Sequence, residues 1–211
     1  MTLRSLSLLP AAFTLLSLTA CVQAPLQTLP APLALPAALN GRAQVLALQD
    51  PDYARAVVGS AVQPAGRGGV SEALVIRFTQ DTPVYRLWSG PNRKDARGNT
   101  NRVGGWWSHD APRGSSAAYR VNYAICVGWN DLTWVATCTI KAGAVAAIGP
   151  GQSVSAETCG DPTGQEQYAA NARDWQMYVD KPWTRAPELV CPPDSSDYEA
   201  DTTDIARART R

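Results

Sequence analysis

Between residues 72 and 180, short runs of alternating apolar and polar positions are separated by polar turns. "EALVIRFT" (72–79) is rich in β-branched and aromatic residues and predicts a strand. "PVYRLW" (83–88) predicts a second, in which Val84, Arg86 and Trp88 share one face and Tyr85 and Leu87 the other. "GGWWS" (104–108) reads as a short strand with Trp106 and Trp107 on opposite faces. "LTWVATCTI" (132–140) sets Leu132, Trp134, Ala136, Cys138 and Ile140 against Thr133, Val135, Thr137 and Thr139. After the turn "KAG", "AVAAIG" (144–149) is apolar throughout and reads as a buried strand. "DWQMYVD" (174–180) predicts the closing strand, with Trp175, Met177 and Val179 on one face and Gln176 and Tyr178 on the other.

Helical signals are fewer. Asp50-Pro51 supplies an N-cap and a first-turn proline ahead of "DYARAVVGSAV". "SSAAYRVNYAICVG" (115–128) predicts a central helix, capped by Ser115 or Ser116, apolar at Ala118, Val121 and Ile125, and ended by Gly128. Two long loops, 89–105 and 150–172, complete the pattern. The class is α+β, with mainly antiparallel sheets and a central helix.

The ends read differently. Residues 1–20 join Arg4 to an apolar run and then to small residues, the pattern of an export signal. The run is too short to span a membrane, and Pro10 breaks it. Leu18-Thr19-Ala20-Cys21 resembles a bacterial lipobox. That resemblance implies cleavage before Cys21 and lipidation of its thiol. Val22 stands where an Asp would resemble an inner-membrane retention signal, which favours the outer membrane of a double-membraned cell. Residues 21–48 are rich in Pro and Ala and read as a tether holding a domain off the membrane. Residues 193–211 are acidic, then basic, and poor in large apolar side chains, and read as a disordered tail. The remaining 49–192 suffice for one globular domain.

Cys126, Cys138, Cys159 and Cys191 form an even set in an exported chain, which predicts two disulfides. Three pairings are open; closeness in the chain favours Cys126–Cys138 and Cys159–Cys191. No metal site is expected, because there is no C-x-x-C and His109 is the only histidine. The net charge of +1 gives no general affinity for nucleic acid. The charge is unevenly spread, however. Between residues 67 and 120, Arg67, Arg77, Arg86, Arg93, Lys94, Arg97, Arg102, Arg113 and Arg120 face only Glu72, Asp81, Asp95 and Asp110. That excess suits a phosphate-bearing small molecule.

Four pieces together resemble the ADP-ribosyltransferase fold: "VYRLW" with its central arginine; "GGWWS" followed by the helix "AAYRVNYAI"; the strand pair "TWVATCTIKAGAVAAIG"; and the closing "DWQMYV". In transferases of the Arg-Ser-Glu type, the arginine grips the NAD phosphates, a serine follows on the second strand, and a glutamate sits on the closing strand. The matching positions are Arg86, Ser108 and Gln176. The chain departs from that type in having "WWSHD" on the second strand and glutamine on the closing strand. The TNT-type NAD glycohydrolase toxins, which use a glutamine there, resemble it better. The likeness covers about residues 74–180 and rests on order and spacing.

The resemblance implies hydrolysis of NAD, as substrate rather than cofactor, to nicotinamide and ADP-ribose. Arg86 would hold the pyrophosphate bidentately, Ser108 a ribose or phosphate, and Gln176 the ribose hydroxyls. Trp106, Trp107, Tyr85 or Tyr178 would stack on a ring. An amide cannot take the proton of an acceptor side chain, so water is the expected acceptor. The other class left open is a non-enzymatic, disulfide-braced envelope lipoprotein that binds a glycan or a protein.

Overall fold

The computed structural model of the chain describes residues 32–209; the export signal and Cys21 lie outside them. In chain order the elements are β1 (Ala43–Val45), α1 (Val58–Ala61), β2 (Leu74–Phe78), β3 (Thr82–Trp88), β4 (Trp106–Trp107), α2 (Ser116–Asn122), β5 (Trp134–Ile140), β6 (Val145–Gly151), α3 (Ala156–Cys159), β7 (Asn171–Tyr178), β8 (Leu189–Val190) and β9 (Tyr198–Glu199). All strand pairings between these elements are antiparallel, and the few helices are short, so the α+β class holds. No helix among the described residues is long and apolar enough to cross a membrane.

The strands form two sheets. One runs β1-β2-β6-β7-β4; the other runs β3-β5-β8, with β9 also on β5. A two-bond bridge between Tyr85 and Ser108, each N–H donating to the other's carbonyl at 2.8 Å, joins β3 to the end of β4. The arginine strand, the "WWS" strand and the glutamine strand therefore lie side by side.

Period-two alternation sorts side chains between cores as the sequence suggests. Ile76, Phe78, Val84, Trp107, Cys138, Ile140, Ile148 and Met177 meet in one cluster. Val75, Val145 and Ala147, of opposite parity, pack with Leu46, Ala56, Ala61 and Trp106 in a second. Residues of β6 are buried on both faces because Ala146 and Ile148 enter one core while Val145 and Ala147 enter the other. Its Gly149 has a specific cause: a Cβ there would lie 1.9 Å from Glu72 O.

Both predicted helices are shorter than expected. After Asp50-Pro51 the chain makes a 3-10 turn at Tyr53–Ala56 and then α1, because Val57 (φ +48°) takes a left-handed conformation between them. Asp50 does cap locally, accepting from Asp52 N at 2.9 Å, and its carboxylate also pairs with Arg77 at 2.7 Å. Ser115 caps α2, its Oγ accepting from Ala118 N, but the helix stops at Asn122. Ala124 (φ +48°) turns the chain there, well before Gly128.

Both ends of the domain reach further than the composition indicated. Strand β1 arises from the stretch read as tether and pairs Ala43–Val45 with Phe78–Ile76. Leu39 is 1% exposed in the main cluster. The stretch read as a disordered tail supplies β9, and its Ile205 and Ala200 pack with Leu87, Tyr119, Leu132 and Val135. The tail's charges are used internally, Asp197 by Arg102 and Glu199 by Arg209 at 3.0 Å.

Two disulfides are present, but the pairing is Cys126–Cys159 and Cys138–Cys191. Proximity in the chain misled because the sheet decides. Thr139 opposes Val190 and Ile140 opposes Leu189, so one step further brings Cys138 opposite Cys191. Each bridge contributes about 2–4 kcal/mol in the chain-entropy account. Non-reducing peptide mapping should return these two linkages and no free thiol among the four cysteines. A peptide joining Cys126 to Cys138 would contradict the register just given.

Candidate functional site

A cleft of about 140 Å³ opens where β3, β4 and β7 meet α2. Tyr85, Arg86, Trp106, Trp107, Tyr119, Tyr123, Trp129 and Gln176 are among its walls. A cavity of about 150 Å³ admits benzene, so the cleft encloses a group the size of one ring, and the remainder of a larger ligand would extend past its mouth.

Arg86 is the charged group of the cleft. Its Nε donates to Asn101 O at 3.0 Å and one Nη to Trp106 O at 2.8 Å. Among the described residues no carboxylate lies within ion-pair distance of it. Burial lowers its pKa to about 10, opposed by the neighbouring Tyr119 phenol, so it stays cationic at neutral pH. A desolvated cation held only by carbonyls lacks a counter-charge, and an anion entering the cleft would supply one. Gly104 packs against it: a Cβ there would lie 2.5 Å from an Arg86 Nη and would push the guanidinium aside.

Gln176 faces the same cleft from β7. Its NH2 donates to Tyr123 O at 3.1 Å and more weakly to Gly69 O at 3.4 Å. Both partners are carbonyls, which fixes the nitrogen's position, and among the described residues no protein donor reaches Oε1. A glutamate here would set a carboxylate oxygen against two carbonyl oxygens. The local backbone therefore demands an amide.

Ser108 does not reach the cleft. It is 1% exposed, and its Oγ donates to Asp110 O at 2.8 Å and bonds Tyr123 Oη at 3.2 Å. Its role is to join the sheets and hold Tyr123. Tyr178 is also set aside: its ring packs on Trp106 at 5.0 Å and its hydroxyl donates to Asp180. Trp107 touches the cleft but is core, with its indole N–H on Gly104 O at 2.7 Å. Tyr85 does line it.

Tyr119 and Tyr123, not among the site residues expected from the sequence, form a wall of the cleft. Their rings stack at 4.3 Å, as i, i+4 partners on one helical face; that spacing was the available signal. Burial pushes the Tyr119 phenol well above its ordinary range, and raises Tyr123 despite the opposing bond to Ser108. Both are neutral hydrogen-bonding groups at pH 7.

The floor is a polar network. Asn130 donates to Leu87 O at 2.7 Å, and Ser89 links Asn130 to Asn101. The arginine-rich loop borders Arg86 through Asn101 and Gly104, but two of its cations are occupied: Arg93 by Asp131 and Arg102 by Asp197. His109 stands outside the cleft, its ring buried beside Asp110 at 3.3 Å, and burial lowers its pKa. Cys126, Cys159 and Glu166 lie close enough together to hold an ion, but the two sulfurs are bonded to each other.

No protein-family model matches this chain, and no curated protein or solved structure matches it.

Proposed function

We propose that this is an exported, lipid-anchored domain of ADP-ribosyltransferase-like fold that hydrolyses NAD to nicotinamide and ADP-ribose. The observation that carries the reading is the convergence of an unpaired Arg86 and a fixed Gln176 on one ring-sized, aromatic-walled cleft. The adjacency of β3, β4 and β7 supports the fold assignment, since these carry the arginine, serine and glutamine positions of the resemblance. The two disulfides support an oxidising compartment.

The chemistry follows from these groups. Loss of nicotinamide builds positive charge on the ribose. Arg86 orients the phosphates by charge-assisted bonds. Oε1 of Gln176 accepts from a ribose hydroxyl, fixing the anomeric carbon for water. Gln176 offers no base to activate a protein acceptor, which favours hydrolysis over transfer. Hydrolysis outside the cytoplasm implies NAD released by, or inside, another cell.

The purified protein, disulfides intact, should release nicotinamide and ADP-ribose from NAD in equal amounts. Gln176→Ala should lower kcat by about 100-fold, the scale of losing one preorganised polar contact. No release above a heat-killed control would remove the enzymatic reading and leave a non-enzymatic module that binds a glycan or a protein.

A further inference from the structure

Trp129 is the most exposed large side chain lining the cleft. It is 46% exposed while lining the cavity. Among the described residues its indole N–H donates to no protein atom. Its ring reaches across the mouth to the opposite loop, where a Cβ on Gly68 would stand 3.3 Å from Trp129 Cη2.

The backbone that carries this ring is tied on every side. Cys126, three residues earlier, is bonded to Cys159, and Trp129 N donates to Cys126 O at 3.0 Å. Arg93 pairs with Asp131 and donates to Gly128 O at 2.8 Å. Glu166 accepts from Val127 N, and Asn130 is anchored in the floor. An ordered loop thus presents a free indole over a ring-sized cleft that also holds a guanidinium and an amide acceptor. Such an arrangement can stack on a ligand ring without first ordering the loop, so little of the stacking is lost to entropy.

We propose that Trp129 is a ligand-positioning residue that stacks on the aromatic ring of a nucleotide whose phosphate is held by Arg86, with the Cys126–Cys159 bridge fixing it over the cleft. This rests on the NAD reading and adds to it the residue that recognises the ring. Tryptophan on a loop gives no periodic signal, and only the disulfide and the Gly68 contact reveal its place.

The test uses the full chain with both disulfides intact. NAD is the substrate, and ADP-ribose and nicotinamide serve as binding probes followed by tryptophan fluorescence. Trp129→Ala should raise KM for NAD about tenfold or more, the scale of one lost base–aromatic stack, and change kcat less than threefold. Trp129→Phe should keep KM within about threefold while losing most of the ligand-induced fluorescence change. Because the side chain is half in solvent, both variants should unfold within about 2 °C of the parent. A parent that releases nicotinamide, with a Trp129→Ala KM within twofold of it, overturns the role of Trp129 alone. A parent that neither releases nicotinamide nor responds to any of the three compounds overturns the NAD reading and this inference together.

Discussion

Arg86→Lys is expected to abolish nicotinamide release as thoroughly as Arg86→Ala, by about 100-fold or more in kcat/KM. The native guanidinium does three things at once. Its Nε reaches Asn101 O, one Nη reaches Trp106 O, and the group lines the cleft with its other Nη beside Gly104. A lysine ammonium has three donors on one atom. It cannot bridge two carbonyls on different elements and also present a parallel pair of N–H groups to a phosphate. Arg86→Ala additionally strands two carbonyls, which costs about 1–3 kcal/mol for each that stays dry. The two variants should therefore separate in thermal stability but not in activity. Steady-state kinetics beside a thermal melt distinguishes the effects. Arg86→Lys activity within threefold of the parent would show that only charge matters at this position and would remove the bidentate role.

How far the sequence revealed this depends on the kind of signal. Strands were legible because period two is local: Val84 and Leu87, Cys138 and Val135, and Met177 and Tyr178 separate into different cores by parity, whereas Leu132, ahead of β5 and left-handed at φ +57°, joins Val135 instead of Cys138 and Ile140. Arg86 was legible for the same reason, as a cation on a strand face shared with apolar neighbours. The helix ends were not, because Val57 and Ala124 take left-handed conformations that their residue types do not advertise. Cysteine pairing was hidden because it depends on which strand lies beside β5. The tail was misread because composition averages over 19 residues concealed one fully buried isoleucine, Ile205, and charges that find partners within the domain. In the site, Arg86 and Gln176 both line one cleft, whereas Ser108, assigned from strand position alone, does not line it. A strand-end serine has two directions available, and here the hydroxyl turns to Asp110 and Tyr123.

The largest stability loss is expected from Arg102→Ala. Asp197, from the misread tail, has a carboxylate 1% exposed. Arg102 meets it with a fork, Nε to Oδ2 at 2.6 Å and Nη2 to Oδ1 at 2.8 Å, and the same Nη2 donates to Pro192 O at 2.8 Å. Mutual attraction and burial raise one another's stakes: the pair offsets its own desolvation only while both members are present. Removing the arginine leaves an uncompensated buried carboxylate, a cost of about 3–5 kcal/mol, which for a domain of this size lowers Tm by roughly 6–20 °C. The effect should reach the cleft, because Arg102 adjoins Asn101, whose carbonyl holds Arg86 and whose side chain bonds Ser89. Arg102→Met combined with Asp197→Leu removes both charges and should recover at least half of the lost Tm, since an apolar pair of similar volume needs no counter-ion. Circular-dichroism melts of the two variants decide the matter. If Arg102→Ala shifts Tm by less than 2 °C, Asp197 is solvated in solution and the tail is not locked to the loop beside Arg86. If the double variant is no better than the single, the loss comes from packing around Pro192 and not from a stranded charge.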